Sequence, residues 1–284
     1  MSWNETFNNE VPVGMEQIVL GPLNYADCLD FARKNGFRWV EFKYEPDFMD
    51  VPGKAELDRI RRDLDLARIG CSVHATYHNR ENLGAVDDEI YHRSLRLTRE
   101  SLRFAADMGA NFLTLHPGDA PKEHGEGPVW DLCRRRTWEA VGGLADEAEK
   151  LGVVIAVENR NGCDPGLRKY GKTPEELLEI RKVADGRVLF TLDWGHVLTT
   201  GQDPLEFARA LGYHNLGLCH IHTNNGRDDL HQPLGRDDHS FRVFLEEYME
   251  TGLSVPLNVE SKNLSDLLSG AREITAAWKE INGE

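Results

Sequence analysis

Nine side chains of metal-binding type stand at or just after the ends of short apolar runs. His74 follows Ser72-Val73, His116 follows Leu113-Thr114-Leu115, and Glu158 follows Ile155-Ala156-Val157. Asp193 and His196 lie in Leu192-Asp193-Trp194-Gly195-His196, and His220 follows Leu218-Cys219, with Asp229 and His231 in the segment after it. Glu260 follows Leu257-Asn258-Val259. Five imidazoles and four carboxylates are the donor types that hold zinc, manganese or magnesium. One ion takes about four to six ligands, so nine would fit two or three ions, or one ion plus catalytic and substrate-binding groups. A lone histidine closing a strand is more often a hydrogen-bonded structural residue, and a lone buried carboxylate is costly. Six consecutive runs ending in His, Asp or Glu make an odd structural rim and a good metal centre.

Several neighbours belong to the same chemistry. His222 lies two residues after His220, on the same side of a strand, and could replace it or back it up; His220 is preferred as the ligand and His222 as a substrate contact. Arg227 is a candidate for a substrate hydroxyl or phosphate, against the alternative of a solvated loop arginine, and Asn159 could orient Glu158 or touch substrate. Trp194 reads as packing beneath the site, and His78, His92, His124, His214 and His239 read as solvated or structural.

The elements that must bring these residues together are legible in the same runs. Apolar, β-branched segments at 17–20, 37–42, 71–75, 111–116, 153–158, 188–193, 216–220 and 255–260 alternate with helical patterns. Asn24 can cap a helix stopping at Asn35-Gly36, Asp203-Pro204 sets a capping oxygen before a first-turn proline, and Thr173-Pro174-Glu175-Glu176 forms a capping box. Gly70, Gly109, Gly152, Gly212 and Gly252 follow helices shortly before the next strand. Eight strand–helix units predict an α/β fold, a single (β/α)8 TIM-barrel domain over residues 1–284, with all strand C-termini opening onto one face. The runner-up, an open doubly wound sheet, would want a Gly-rich phosphate turn that the sequence lacks.

Composition narrows the partners. The 284 residues carry 33 basic and 48 acidic side chains, a formal charge of −15. That excess repels phosphate backbones at long range, so broad nucleic-acid or membrane-surface binding is disfavoured, although a local basic groove is not excluded. Five scattered cysteines without a Cys-x-x-Cys pair read as reduced thiols of a cytoplasmic protein, and there is no apolar stretch of about 18 residues to span a membrane.

His74-Ala75-Thr76-Tyr77, Leu115-His116-Pro117-Gly118, Glu158-Asn159, Leu192-Asp193-Trp194-Gly195-His196, Asp229-Leu230-His231 and Glu260 together resemble the motifs of the xylose isomerase-like TIM-barrel superfamily, in its order. That superfamily includes endonuclease IV, the ketose 3-epimerases and related sugar isomerases. In the endonuclease IV branch, the resemblance implies three zinc ions. His74, His116 and Glu158 would hold one, Glu158, Asp193, His220 and Glu260 the second, and His196, Asp229 and His231 the third. In the epimerase and isomerase branch it implies one manganese or magnesium ion on Glu158, Asp193, His220 and Glu260, with Glu158 and Glu260 doubling as acid and base. A divalent ion across a ketose carbonyl and its neighbouring hydroxyl lowers the barrier to losing the α-proton. Two carboxylates on opposite sides of the sugar can remove and return it. The sequence departs from the family at Thr223, where an aspartate is frequent, and at Arg236-Asp237, where small or acidic residues are usual. Arg236 is a candidate for an anionic substrate group.

Three functions follow. The first is a divalent-metal-dependent isomerase or epimerase of a sugar or sugar derivative, favoured by the ligands and the acidity. The second is an endonuclease IV-like phosphodiesterase at abasic DNA sites, favoured by the complete set of nine. The third is a non-catalytic metal-binding barrel, which leaves Glu158 and Glu260 no task beyond ligation. The expected cofactor is one to three divalent ions per chain and the expected partner a sugar-like small molecule, with assembly into a homo-oligomer open.

Overall fold

The computed structural model describes residues 12–17, 24–78, 81–124, 127–235, 238–253 and 255–283. Strands β1 (Val13–Glu16), β2 (Trp39–Lys43), β3 (Gly70–His74) and β4 (Phe112–Leu115) are followed by β5 (Asp119–Pro121), β6 (Val154–Glu158) and β7 (Leu167–Lys169). Then come β8 (Leu189–Asp193), β9 (Leu216–Ile221) and β10 (Leu257–Val259). All but β5 and β7 pair in parallel and close into an eight-stranded ring, β1-β10-β9-β8-β6-β4-β3-β2. This is the (β/α)8 barrel read from the sequence. β5 and β7 form a separate antiparallel pair.

Helices α1 (Tyr25–Lys34), α2 (Lys54–Ala67), α3 (Asp88–Met108), α4 (Pro128–Leu151) and α5 (Pro174–Val183) alternate with the strands. A short α6 (Trp194–Thr199) precedes α7 (Pro204–Leu211), α8 (His239–Glu250) and α9 (Leu264–Ile281). The expected caps form: Asn24 accepts from the Asp27 N–H and Asp203 from the N–H groups of Leu205 and Glu206. Thr173 accepts from the Glu176 N–H, while the Glu176 carboxylate reaches past it to the N–H groups of Gly171 and Lys172, 2.9 Å each.

Two details of the sequence reading are corrected. The first strand is Val13–Glu16 and not 17–20: Gln17 lies just beyond it, and 18–20 fall outside the described residues. Gly14 and Glu16 interrupt the apolar run because they face the ring's interior, where a Cβ on Gly14 would come within 1.9 Å of Asn258 Oδ1. Gly70 does not close α2, which ends at Arg68 in the left-handed conformation (φ 54°). It opens β3 and makes room for the Trp39 ring, 2.2 Å from where its Cβ would stand.

The strand period of two separates two surfaces. Met15, Val40, Phe42, Val73, Leu113, Ile155, Val157, Leu192, Ile221 and Val259 pack outward into the helices as the strand side of the main core. Trp39, Phe112, Ala156 and Leu218 fill the base of the ring as a separate apolar cluster. Next along the same inward columns come Glu41, Ser72, Thr114, Thr191 and Asn258, all buried. The columns end at the C-terminal rim in Lys43, His74, Glu158, Asp193, His220 and Glu260. Burial on both faces explains why the strands read as short, largely apolar runs.

Candidate metal centre

Local bonding aims each rim residue. Asn159, just after β6, accepts from the Asp193 N–H (2.7 Å) and donates to the Asp193 carbonyl (2.9 Å), clamping β6 to β8. Asp193 caps α6 by accepting from the His196 N–H at 2.6 Å. His196 therefore stands one turn above it, and its Nδ1 lies 2.8 Å from the Asn159 carbonyl, leaving Nε2 facing Asp229 Oδ2 at 3.2 Å. His74 Nδ1 lies 2.8 Å from the Ala75 carbonyl and Nε2 lies 3.0 Å from Glu158 Oε2. His116 Nε2 approaches the same oxygen at 3.0 Å. Glu158 Oε1 lies 3.3 Å from His196 Nδ1 and 3.4 Å from His220 Nδ1. Each Glu158 oxygen is thus shared by two imidazoles, the geometry of a bridging carboxylate.

His220, within β9, and His222, just past its end, take different places. His220 Nε2 is bonded to Glu41, and its Nδ1 faces Glu158 and Glu260 at 3.4 Å each and Asp193 at 3.8 Å. His222, expected at the substrate, is fully buried among the ligands instead: its Nε2 lies 3.1 Å from Asp193 Oδ1 and 3.9 Å from Glu260 Oε2. Space for its ring exists because residue 195 is glycine; a Cβ there would sit 2.0 Å from His222 Cε1. The loop beyond returns through an antiparallel bridge between Thr223 and Gln232. His231, in the left-handed conformation (φ 53°), lays its ring on His222 at 4.3 Å. Its two nitrogens face Asp229 and Glu260, each at 3.4 Å.

A divalent ion fits this donor set. His74, His116 and Glu158 converge as one group, Glu158, Asp193, His220 and Glu260 as a second, with His222 joining Asp193 and His196 on one side and Asp229 and His231 on the other. Five buried donor atoms within these groups have no hydrogen-bond partner: His116 Nε2, His220 Nδ1, His222 Nδ1, Asp229 Oδ1 and Glu260 Oε2. Unpaired buried lone pairs are costly unless a cation meets them. The electrostatics agree. Against the effect of burial, His116 and His220 hold the Glu158 carboxyl well below its usual range, and His231, Lys43, His220 and His222 do the same for Glu260. Burial pushes His116 down to about 3, leaving it neutral. Burial opposes charge on His196, His220 and His222 too, but there the carboxylates win: Asp193 and Asp229 raise His196 to about 10, Glu41 and Glu158 raise His220, and Asp193 raises His222. Without metal, protons take its place.

The rim opens into a cavity of about 1460 Å³ lined by His74, His116, Glu158, His196, Asp229, His231 and Glu260, and by groups the sequence reading did not single out: Glu16, Lys43, Arg160 and Lys169. Lys43 is buried, contacts Glu16, and lies 3.2 Å from Tyr77 Oη and 3.9 Å from Glu260 Oε1. The signal was present in β2, where Glu41 and Lys43 alternate with outward Val40 and Phe42. Of the remaining expectations, Trp194 packs edge-on against Phe241 and Phe244 beneath the site, as read. Asn159 holds backbone and does not line the cavity. Arg227 is 84% exposed, paired with Asp228 in a polar loop, and also outside the cavity. Arg236 lies outside the described residues. His92, His214 and His239 are exposed, the side chain of His124 is outside the described set, and His78 lines the cavity with Nδ1 2.9 Å from Glu45.

Residues 29–281 match the model of the family described as xylose isomerase-like TIM barrel. The chain belongs to this family. Among its relatives, the uncharacterized protein MJ1311 of Methanocaldococcus jannaschii is 30% identical over 216 residues, 75% of this chain and 71% of that protein. The probable endonuclease 4 of Thermoplasma acidophilum is 26% identical over 215 residues, 73% of this chain and 68% of that protein. In structure, this xylose isomerase-like barrel resembles a D-tagatose 3-epimerase-like protein with a TM-score of 0.82, at 23% identity, covering 95% of this chain and 98% of that one. At that identity the likeness speaks for the fold alone. No helix among the described residues is long and apolar enough to cross a membrane.

Proposed function

We propose that this xylose isomerase-like barrel is a divalent-metal-dependent isomerase or epimerase that moves a proton next to the carbonyl of a sugar or sugar derivative. The observation that carries the reading is the way Glu260 divides its oxygens. Oε2 is buried, unpaired and faces His220 Nδ1 at 3.4 Å, whereas Oε1 lies on the side of Lys43 and His231. One oxygen can hold an ion while the other takes a proton from a substrate in the cavity. Glu158, Asp193, His220 and Glu260 would hold that ion, with His222 beside them. A bound divalent ion withdraws electrons from a carbonyl and makes the neighbouring C–H acidic. Glu260 is then the base, and the Lys43 amine, placed by Glu16 and Tyr77 with its pKa lowered by burial, stands beside it. Glu158 serves as the bridge between ligand groups. A single base on one face suits proton return on that same face, as in aldose–ketose isomerisation.

The test is α-proton exchange from ketoses in heavy water with manganese- or magnesium-loaded protein. Glu260→Gln abolishes exchange while leaving the barrel folded; near-normal exchange in that variant removes Glu260 from the base role. A second reading, an abasic-site phosphodiesterase, is supported by the bridging geometry of Glu158 and the convergence of all nine ligand-type residues. The charge of −15 opposes a duplex DNA substrate. About three tightly held zinc ions per chain together with nicking of an abasic duplex would replace the first reading by the second.

A further inference from the structure

Among the described residues Arg160 is the one guanidinium lining the cavity at the metal-ligand rim, and its Nε has no partner. It follows Glu158 by two residues, and its backbone is pinned by an N–H bond to the Gly171 carbonyl at 3.0 Å. Its side chain is 13% exposed. A guanidinium has five N–H donors in a planar fork. Here Nη2 meets Asp119 Oδ2 at 3.3 Å, a long one-point contact, and Nε is buried without a partner. Asp119 cannot turn to make a second contact, because its other oxygen accepts from Asn82 Nδ2 at 2.9 Å and its N–H is bonded to Asn82 Oδ1 at 3.0 Å. Lys169 stands alongside, engaged with Asp164 and with Asn161 Oδ1. Asn161 in turn donates to Asp229 Oδ2 at 3.0 Å, so this cationic corner adjoins the ligand groups.

Burying a guanidinium strips its water, and one weak contact returns little of that. Arg160 lines the cavity, and an acceptor reaching its planar fork from there would have the geometry of phosphate or carboxylate. We infer that Arg160 is the binding fork for an oxyanion carried by the substrate, a phosphate monoester or a carboxylate, held next to the metal-ligand groups with Lys169 adding positive charge. The inference rests on the proposed function in taking this cavity as the substrate site. It also moves anion recognition from Arg227 and Arg236, the sequence-level candidates, to the loop after β6.

The experiment titrates inorganic phosphate, and separately glycolate, into metal-loaded protein by calorimetry, with metal content and thermal midpoint measured for each variant. At least one probe binds the wild type, and Arg160→Gln and the charge-preserving Arg160→Lys each raise its Kd more than tenfold, while Arg227→Gln leaves it unchanged. Loss confined to phosphate identifies a phosphate ester as the substrate group; loss confined to glycolate identifies a carboxylate. Absence of binding by both probes overturns the inference. So does a Kd within twofold of wild type in both Arg160 variants, the outcome expected if metal alone binds the anion. A protein that shows Arg160-dependent anion binding but no α-proton exchange would sink the isomerase reading and leave this inference standing.

Discussion

Replacing Glu41 with glutamine tests whether the interior of the barrel sets the affinity of the rim. Glu41 is fully buried in β2, with one oxygen on His220 Nε2 and the other accepting from Thr114 Oγ1 at 2.6 Å. Thr114 is itself 3.1 Å from Thr191 Oγ1, so the carboxylate is locked from behind. A carboxylate on Nε2 keeps the proton there and leaves the Nδ1 lone pair toward Glu158, Asp193 and Glu260. Glutamine keeps the shape, removes the charge, and can turn its NH2 toward the ring, which selects the tautomer that cannot bind metal through Nδ1. Such outer carboxylates are worth roughly 10- to 100-fold in metal affinity, or about 1.4 to 2.7 kcal/mol. Competition against a chelator of known affinity measures the change, with the metal-free thermal midpoint as a folding control. Thr114→Val, which loosens Glu41 without removing it, produces a smaller fall. Affinity within twofold of wild type in Glu41→Gln would refute the reasoning and hand the ligand role to His222.

Metal binding to the stripped protein at neutral pH releases protons, because the carboxylates raise His196 to about 10 and push His220 and His222 upward as well. Calorimetry in buffers of different ionisation enthalpy counts them, and no release would contradict the assigned charges. A raised imidazole stabilises the fold fully below its ordinary value of about 6.5 and loses that contribution as pH climbs through the folded value. For His196 that value is about 10. The thermal midpoint of the metal-free protein therefore falls between pH 7 and 10, and that of the loaded protein stays nearly flat. Gly195→Ala drives a Cβ into the His222 ring and costs about 1–3 kcal/mol of stability together with metal affinity. Gly142→Ala, inside α4 with nothing within 4 Å of the new Cβ, raises stability by about 0.5–1 kcal/mol. Chemical denaturation distinguishes these signs.

How far the sequence carried depends on which signals are local. Helix caps such as Asn24, Thr173 and Asp203 involve groups within a few residues, so they could be read directly and they formed. Seven of the eight ring strands lie within a residue or two of the apolar runs. β1 does not, because Gly14 and Glu16 serve neighbours 244 and 25 residues away, Asn258 and Glu41. Glu41 and Lys43 were passed over for a similar reason: polar residues inside a strand look like ordinary alternation until the ring closes around them.

The order of strands, the identity of the nine ligand-type residues and the single face on which they had to meet were determined by the sequence itself, since period-two burial and eight repeated units leave little choice of architecture. What only the tertiary structure decided is depth and direction. Register between strands sets Asp193 opposite His220, and it sinks His222 among the carboxylates instead of leaving it at the substrate. A left-handed residue at His231 and the missing side chain at Gly195 then decide which rings share the space. Arg227 and Arg160 have the same chemistry in one dimension; one ends in solvent and the other against the cavity, because burial is a property of the closed ring.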